Sequence, residues 1–190
     1  MAAPRILLVG AGSMGSLHAR VISQSPLAEL VTIVDPRPEV GSAVAEKFGA
    51  SWLPELGSLD GIDGVVIAAA TEAHHELAMR VLAESVPVLV EKPVADSLSN
   101  TLEILGESAK RGVPMMCGLL ERYNPAVMTA RAMVEAPVHV SATRHSPYAA
   151  RIKTGVAWDL LVHDVDLAVG FLGGEPSEIR GSLGSFHPQS

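Results

Sequence analysis

The sequence predicts an α/β protein, a doubly wound parallel sheet followed by the incomplete start of an α+β domain. Three observations carry that expectation. Apolar runs of four to seven residues recur at 6–9, 30–34, 64–70, 86–90 and 113–117, and runs so short and so uniformly apolar read as strands buried on both faces. Between them lie stretches with apolar residues at helical spacing. The connections are short, so strands and helices alternate, as in a sheet wound in both directions.

The elements follow in chain order. The first strand, 6–9, runs into Gly10, Gly12 and Gly15, and a helix begins there with Leu17, Val21 and Ile22 on its inner side. The second strand, 30–34, ends at Asp35. Residues 38–48 carry Val40, Val44 and Phe48 at i, i+4 and i+8, a helix stopped by Gly49. Residues 51–53 make a short third strand, and 54–61 a loop or broken helix. After the strand at 64–70, Thr71 precedes a helix reaching about residue 84. The strand at 86–90 ends in Glu91-Lys92-Pro93. Ser97 caps a helix with Leu98, Leu102, Leu105 and Ala109 on one face, closed by Gly112 before the sixth strand, 113–117.

Past Gly118 the character changes, which divides the chain into 1–118 and 119–190. Residues 122–134 read as a helix with Asn124-Pro125 in its first turn. Residues 138–143 alternate, Val138, Val140 and Ala142 against His139, Ser141 and Thr143, as a half-exposed strand does. A basic loop follows, then a helix at 158–172 and the expected start of a further strand at 177–185. A sheet of one or two strands is not independently stable. The missing strands therefore come from a partner, or the chain is truncated.

The chain of 190 residues is 48% hydrophobic and 18% charged, which is globular rather than disordered. Its formal net charge of −7, with no dense Lys/Arg run, argues against nucleic acid or an anionic membrane as partner. The single cysteine, Cys117, excludes an internal disulfide and fits a reducing compartment. With no signal peptide and no membrane-spanning run expected, the default location is the cytoplasm.

Gly10-Ala-Gly-Ser-Met-Gly15 has the G-x-G-x-x-G spacing, between a strand and a helix as that motif requires. Gly10 permits a sharp turn, Gly12 lets backbone approach a pyrophosphate, and Gly15 lets the helix pack against the strand. Free N–H groups at the helix start favour the negative charge. Asp35, twenty residues after Gly15, stands where a carboxylate accepts from the ribose hydroxyls of NAD; alone, it reads equally as a turn residue before Pro36. Asp35 favours NAD, and Arg37 nearby leaves NADP open.

The strand ends Gly10, Asp35, Ala70 and Glu91 share one edge. Lys92 there can donate to a substrate hydroxyl, although Glu-Lys-Pro also ends many strands. In the helix at 158–172, Asp159, His163 and Asp166 lie at i, i+4 and i+7, on one face. The rest is so apolar that burial nearly all round is expected. Three readings stay open: Asp159 tunes His163 as a general base; His163, Asp164 and Asp166 bind a metal; or His163 is a satisfied core residue. No further cluster supplies metal ligands, so no metal is assigned.

This ordered set resembles the Gfo/Idh/MocA oxidoreductases: Gly10-Ala-Gly-Ser-Met-Gly15 with His18, Asp35, the 69–74 segment ending in His74, Glu91-Lys92-Pro93, Arg122-Tyr123-Asn124-Pro125-Ala126, and Asp159 with His163-Asp164-Val165-Asp166. The resemblance implies a Rossmann domain followed by a domain with a large open sheet. The implied reaction is hydride transfer between NAD(P) and a hydroxyl carbon of a sugar or cyclitol. Lys92 resembles the family's catalytic lysine, His163 its acid/base and Asp159 the supporting acid. Cofactor contacts are implied at Gly10, Gly12, Ser13, Met14, Gly15, Asp35, Ala69, Ala70, Thr71, His74, Glu91 and Lys92. A cis peptide before Pro93 and a homo-oligomer are implied as well. Residues 121–125 and 152–160 look most like the UDP-N-acetylglucosamine 3-dehydrogenase branch. That likeness would make Tyr123, Asn124, Arg144, Arg151 and Lys153 substrate contacts, the three cations reading otherwise as ordinary loop charges. Ala70 stands where the family often has proline, and family members are longer. The alternative function is a non-catalytic dinucleotide-binding sensor or scaffold, or an inactive truncated dehydrogenase.

Overall fold

The computed structural model describes residues 2–145 and 155–184. The chain forms two compact units, Met1–Gly118 and Leu119–Ser190.

The first unit is built on six parallel strands: β1 (Arg5–Val9), β2 (Glu29–Val34), β3 (Ser51–Leu53), β4 (Gly64–Ile67), β5 (Val88–Val90) and β6 (Met115–Cys117). Their order is β3-β2-β1-β4-β5-β6. The chain winds outward from β1 to β3, then returns to the other side of β1, so winding reverses between β1 and β4. At such a reversal a crevice opens beyond the carboxyl ends of the strands.

Helices α1 (Ser13–Gln24), α2 (Pro38–Phe48), α3 (Thr71–Ala83) and α4 (Leu98–Arg111) complete the unit. Leu8, Ile33 and Val66 face Ala19 of α1 and Ala45 of α2 in one core layer. Leu7, Val9, Val65, Ile67, Val88 and Val90 face Ala78, Val81 and Leu82 of α3 and Ile104 of α4 in the other. Consecutive strand residues alternate between two covered faces, which is why the runs are apolar throughout.

Helix termini follow local chemistry. The Ser97 side chain accepts from the Asn100 N–H at 3.2 Å and caps α4. Gly49 and Gly112 close α2 and α4 in the left-handed conformation.

Two helix faces differ from expectation. On α1 the buried residues are Gly15 and Ala19, with Ile22 packed beside them, while Leu17 and Val21 are exposed. Gly15 draws the helix so close to the strand that only small side chains fit beneath it. On α4 the Leu98, Leu102 and Leu105 stripe is exposed, and Ile104 is buried with Thr101 and Ser108 beside it. The Ser108 hydroxyl donates to the Val113 carbonyl at 2.7 Å, which orients the helix with that side toward the sheet.

The second unit contains a 3₁₀ turn (Leu120–Tyr123), α5 (Pro125–Met133), a π-helical turn (Ala157–Leu161) and α6 (Val162–Leu172). The helix expected over 122–134 starts at Pro125, because Asn124 caps it by accepting from the Ala126 N–H at 3.0 Å. The strand expected at 138–143 does not form, and 177–184 is not a strand either; residue 185 lies outside the described residues. Val138 is 94% exposed. An alternating stretch becomes a strand only where another strand answers its N–H and C=O groups, and none does among the described residues of this unit. The helix expected at 158–172 is not buried all round: Trp158 and Leu161 of the π-helical turn and Val165 and Leu172 of α6 are exposed, and His163 is the buried residue of α6. No helix among the described residues is long and apolar enough to cross a membrane.

Ile104 fills the α4 side of the core and Leu102 does not. Ile104→Ala is expected to destabilise the protein by about 2–5 kcal/mol, and Leu102→Ala by no more than about 0.5 kcal/mol. Urea unfolding of the two variants checks the difference, and equal losses would contradict the placement of α4.

Candidate functional site

The crevice is built from the turn after β1. Gly10 has φ of 96°, and its N–H donates to the Val34 carbonyl at 2.7 Å. A Cβ here would strike the Ala68 carbonyl, so conformation and space both require glycine. A Cβ on Gly15 would overlap the Gly10 carbonyl, and α1 therefore starts directly against the turn. A Cβ on Gly12 would meet nothing. Gly12 is the N-cap of α1, with no capping side chain and no acidic residue in the first turn. The N–H groups of Ser13, Met14 and Gly15 lie in that first turn, outside the intrahelical ladder, with Ser13 and Met14 exposed.

Asp35, at the end of β2, is 1% exposed. Its Oδ2 accepts from the Ala11 N–H and from the Arg37 guanidinium, both at 2.8 Å. Its Oδ1 accepts from Arg37 Nε at 2.9 Å and the Arg37 N–H at 3.0 Å. The Arg37 side chain, with help from the backbone N–H groups, outweighs the desolvation of the carboxyl and holds it down at about 2. Arg37 lies two residues after Asp35, and its N–H bond to Oδ1 closes a local turn that returns the guanidinium to the carboxylate. A ribose hydroxyl bonding to Asp35 has to share it with that guanidinium.

The ends of β4 and β5 supply the rest of the edge. Ala69, Ala70 and Thr71 form the turn into α3, with Ala70 as its N-cap. His74, in the first turns of α3, is 1% exposed. Its Nδ1 lies 2.9 Å from the Pro93 carbonyl and its Nε2 lies 3.1 Å from the Ala69 carbonyl. The ring is buried with both nitrogens against backbone carbonyls, at a position where the family resemblance implies a cofactor contact.

Glu91 is buried and accepts from His18 Nε2 at 2.7 Å and from the Lys92 N–H at 3.1 Å. Burial pushes its carboxyl up, but the His18 bond, with the Lys92 amide and charge, outweighs this and leaves it below its ordinary value. Gly118 leaves room for that carboxylate, which a Cβ would meet at 2.8 Å. Lys92 is half-buried at the same strand end, and the Lys92–Pro93 bond is cis.

In the second unit, His163 is buried at the start of α6 and Asp159 is half-buried in the π-helical turn before it. A π-turn is a frequent companion of functional side chains. The carboxylates that a metal reading needs have cationic partners. Asp164 accepts from Arg144 at 2.8 Å and is held below its ordinary value by that bond; Asp166 accepts from Arg122 Nε at 2.8 Å. Among the described residues no group of three His, Cys, Asp or Glu side chains could hold a metal. Asn124 donates to Glu121 Oε2 at 3.1 Å besides capping α5, and Tyr123 is exposed. Arg151 and Lys153 lie outside the described residues.

An open, uncapped helix start beside a buried acid fits a dinucleotide. Known proteins agree. The sequence profile described as "Oxidoreductase family, NAD-binding Rossmann fold", that of the Gfo/Idh/MocA proteins, matches residues 4–119. The chain belongs to this family. The UDP-N-acetylglucosamine 3-dehydrogenase of Acidithiobacillus ferrooxidans is 27% identical over 176 residues, covering 91% of this chain and 56% of that protein. A solved structure of that enzyme superposes with a TM-score of 0.86 at 27% identity, over 94% of this chain and 59% of its own. An inositol 2-dehydrogenase of Rubrobacter xylanophilus is 32% identical over 187 residues, covering 90% of this chain and 53% of that protein. GenD2 of gentamicin A biosynthesis, solved in complex with NAD, is 28% identical with a TM-score of 0.79, covering 91% and 54%. The chain spans about half the length of the curated relatives it matches. Its first unit is the family's NAD-binding Rossmann domain.

Two outcomes follow from the crevice. Gly12→Ala has space and an ordinary extended backbone, φ −70° and ψ −162°, so its unfolding free energy should stay within about 0.5 kcal/mol of wild type while NAD titration calorimetry shows weakened binding. Gly15→Ala, which meets backbone, should lose stability as well. Because the folded Asp35 carboxyl lies below its ordinary value of 3.8, its contribution to stability is complete above that value and is lost as pH falls through about 2. Urea unfolding should accordingly show Arg37→Ala less stable than wild type near neutrality, with the gap closing toward pH 2; a gap constant with pH would contradict the pairing.

Proposed function

We propose that this chain carries the cofactor-binding and acid–base residues of an NAD(P)-dependent oxidoreductase acting on a hydroxyl carbon of a sugar, nucleotide sugar or cyclitol. The observation that carries this reading is the shared edge of the sheet: the open start of α1, the buried Asp35 and the Glu91–Lys92 strand end all face the same crevice. Bound NAD supplies the acceptor carbon for the hydride. The N–H groups of Ser13, Met14 and Gly15 hold the diphosphate, Asp35 with Arg37 the adenosine ribose, and Ala69, Ala70, Thr71, Glu91 and Lys92 the remainder. Lys92 donates to the substrate oxygen. His163 takes the hydroxyl proton as general base, and Asp159 favours its charged form. Similarity to the UDP-N-acetylglucosamine 3-dehydrogenase supports a nucleotide sugar, with Tyr123, Asn124, Arg144, Arg151 and Lys153 as contacts. Arg144 would then exchange Asp164 for the substrate's anionic group. The reading includes a homo-oligomer in the cytoplasm, checked by sedimentation and fractionation.

The test is absorbance at the reduced-nicotinamide band with UDP-sugars, free sugars and inositols. Turnover is expected with at least one class, and His163→Ala should lower kcat by about 10²–10⁴-fold while keeping the rise in melting temperature on adding NAD. If NAD stabilises the chain but neither His163→Ala nor Lys92→Ala alters any turnover, a non-catalytic dinucleotide-binding module is the correct reading.

A further inference from the structure

His74 is set apart from its neighbour His75. The His75 ring lies on the surface side of α3 and meets a carboxylate, Glu103 Oε2, at 3.0 Å. The His74 ring is 1% exposed and meets two carbonyl oxygens, Pro93 O at 2.9 Å and Ala69 O at 3.1 Å. A carbonyl only accepts, and a neutral imidazole has one N–H. Either tautomer therefore donates to one of the two carbonyls and sets its other nitrogen against the second. The two oxygens belong to different turns. Ala69 precedes the N-cap of α3 at the end of β4, and Pro93 follows Lys92 at the end of β5. A buried ring held between both carbonyls ties those turns together.

We propose that His74 is a positioning residue, a buried imidazole that joins the turn after β4 to the turn after β5 and so sets the spacing of Ala69, Ala70 and Thr71 from Lys92. It touches neither cofactor nor substrate and acts through the backbone of those residues. The proposal rests on the reading of this edge as the NAD site.

Two measurements on the full chain test it. In proton–nitrogen spectra of protein labelled with ¹⁵N-histidine, a His74 ring N–H, assigned through its backbone correlations, should be seen and should exchange slowly with solvent, as a donor held against a buried carbonyl does. A ring with no protected N–H overturns the proposal, and this reading needs no variant to fold. In NAD titration calorimetry, His74→Gln, which offers one nitrogen in place of two, should raise Kd by about tenfold, the scale of one buried hydrogen bond left unmade. Ile104→Ala, a core truncation remote from these turns in its packing, should leave Kd as in wild type. A His74→Gln protein that binds NAD as wild type does, or an Ile104→Ala protein that loses as much, overturns the proposal. Wild-type protein that fails to bind NAD overturns the NAD reading instead, and the spectra still decide whether the ring is held between the two turns.

Discussion

The approach of α1 to the turn after β1 is the constraint on which the crevice depends. Gly15 sits against the Gly10 carbonyl with no room for a Cβ, so the amino end of the helix is delivered to the sheet edge. The consequences spread along the same helix. Ala19, one turn on, is buried because nothing larger fits. His18, on the adjacent side, reaches Glu91 at the end of β5. The turn is held from the other side by the Val34 carbonyl and the Asp35 carboxylate, which accept from Gly10 and Ala11. One close contact thus ties three strand ends to one helix start.

The two buried carboxylates at this edge are both compensated. Asp35 has Arg37 and Glu91 has His18, each with backbone N–H groups in addition. An uncompensated buried carboxylate would be costly, and two of them would repel an anionic ligand from the edge. The Arg37 guanidinium removes both difficulties for Asp35, the hydrogen bonds from His18 and the Lys92 N–H offset the desolvation of Glu91, and the α1 start adds its partial positive charge to the edge.

The second unit shows the same use of ion pairs with less burial. Arg144 and Arg122 occupy Asp164 and Asp166 on α6, which sets those carboxylates apart from His163. The exposed apolar residues of α6 explain why a strongly apolar helix need not be a buried one: hydropathy reports what a face tends toward, whereas burial needs a neighbouring element to supply the contact.

Much of the first unit was legible in the chain because its signals are local. Apolar runs of a few residues, the Gly10–Gly12–Gly15 spacing, Ser97 before α4 and Gly49 and Gly112 after α2 and α4 each act within a few residues of themselves, through backbone geometry and capping. Asp35 could be placed at a strand end for the same reason. What required the tertiary structure was the choice between competing faces and partners. Leu98, Leu102 and Leu105 make a longer apolar stripe than Ile104, yet the side toward Val113 wins. Residues 138–143 alternate well, yet no neighbouring strand completes them. The bonds from His18 to Glu91 and from the His74 ring to the Pro93 carbonyl join residues whose meeting depends on where strands end in space, and no spacing along the chain encodes that distance.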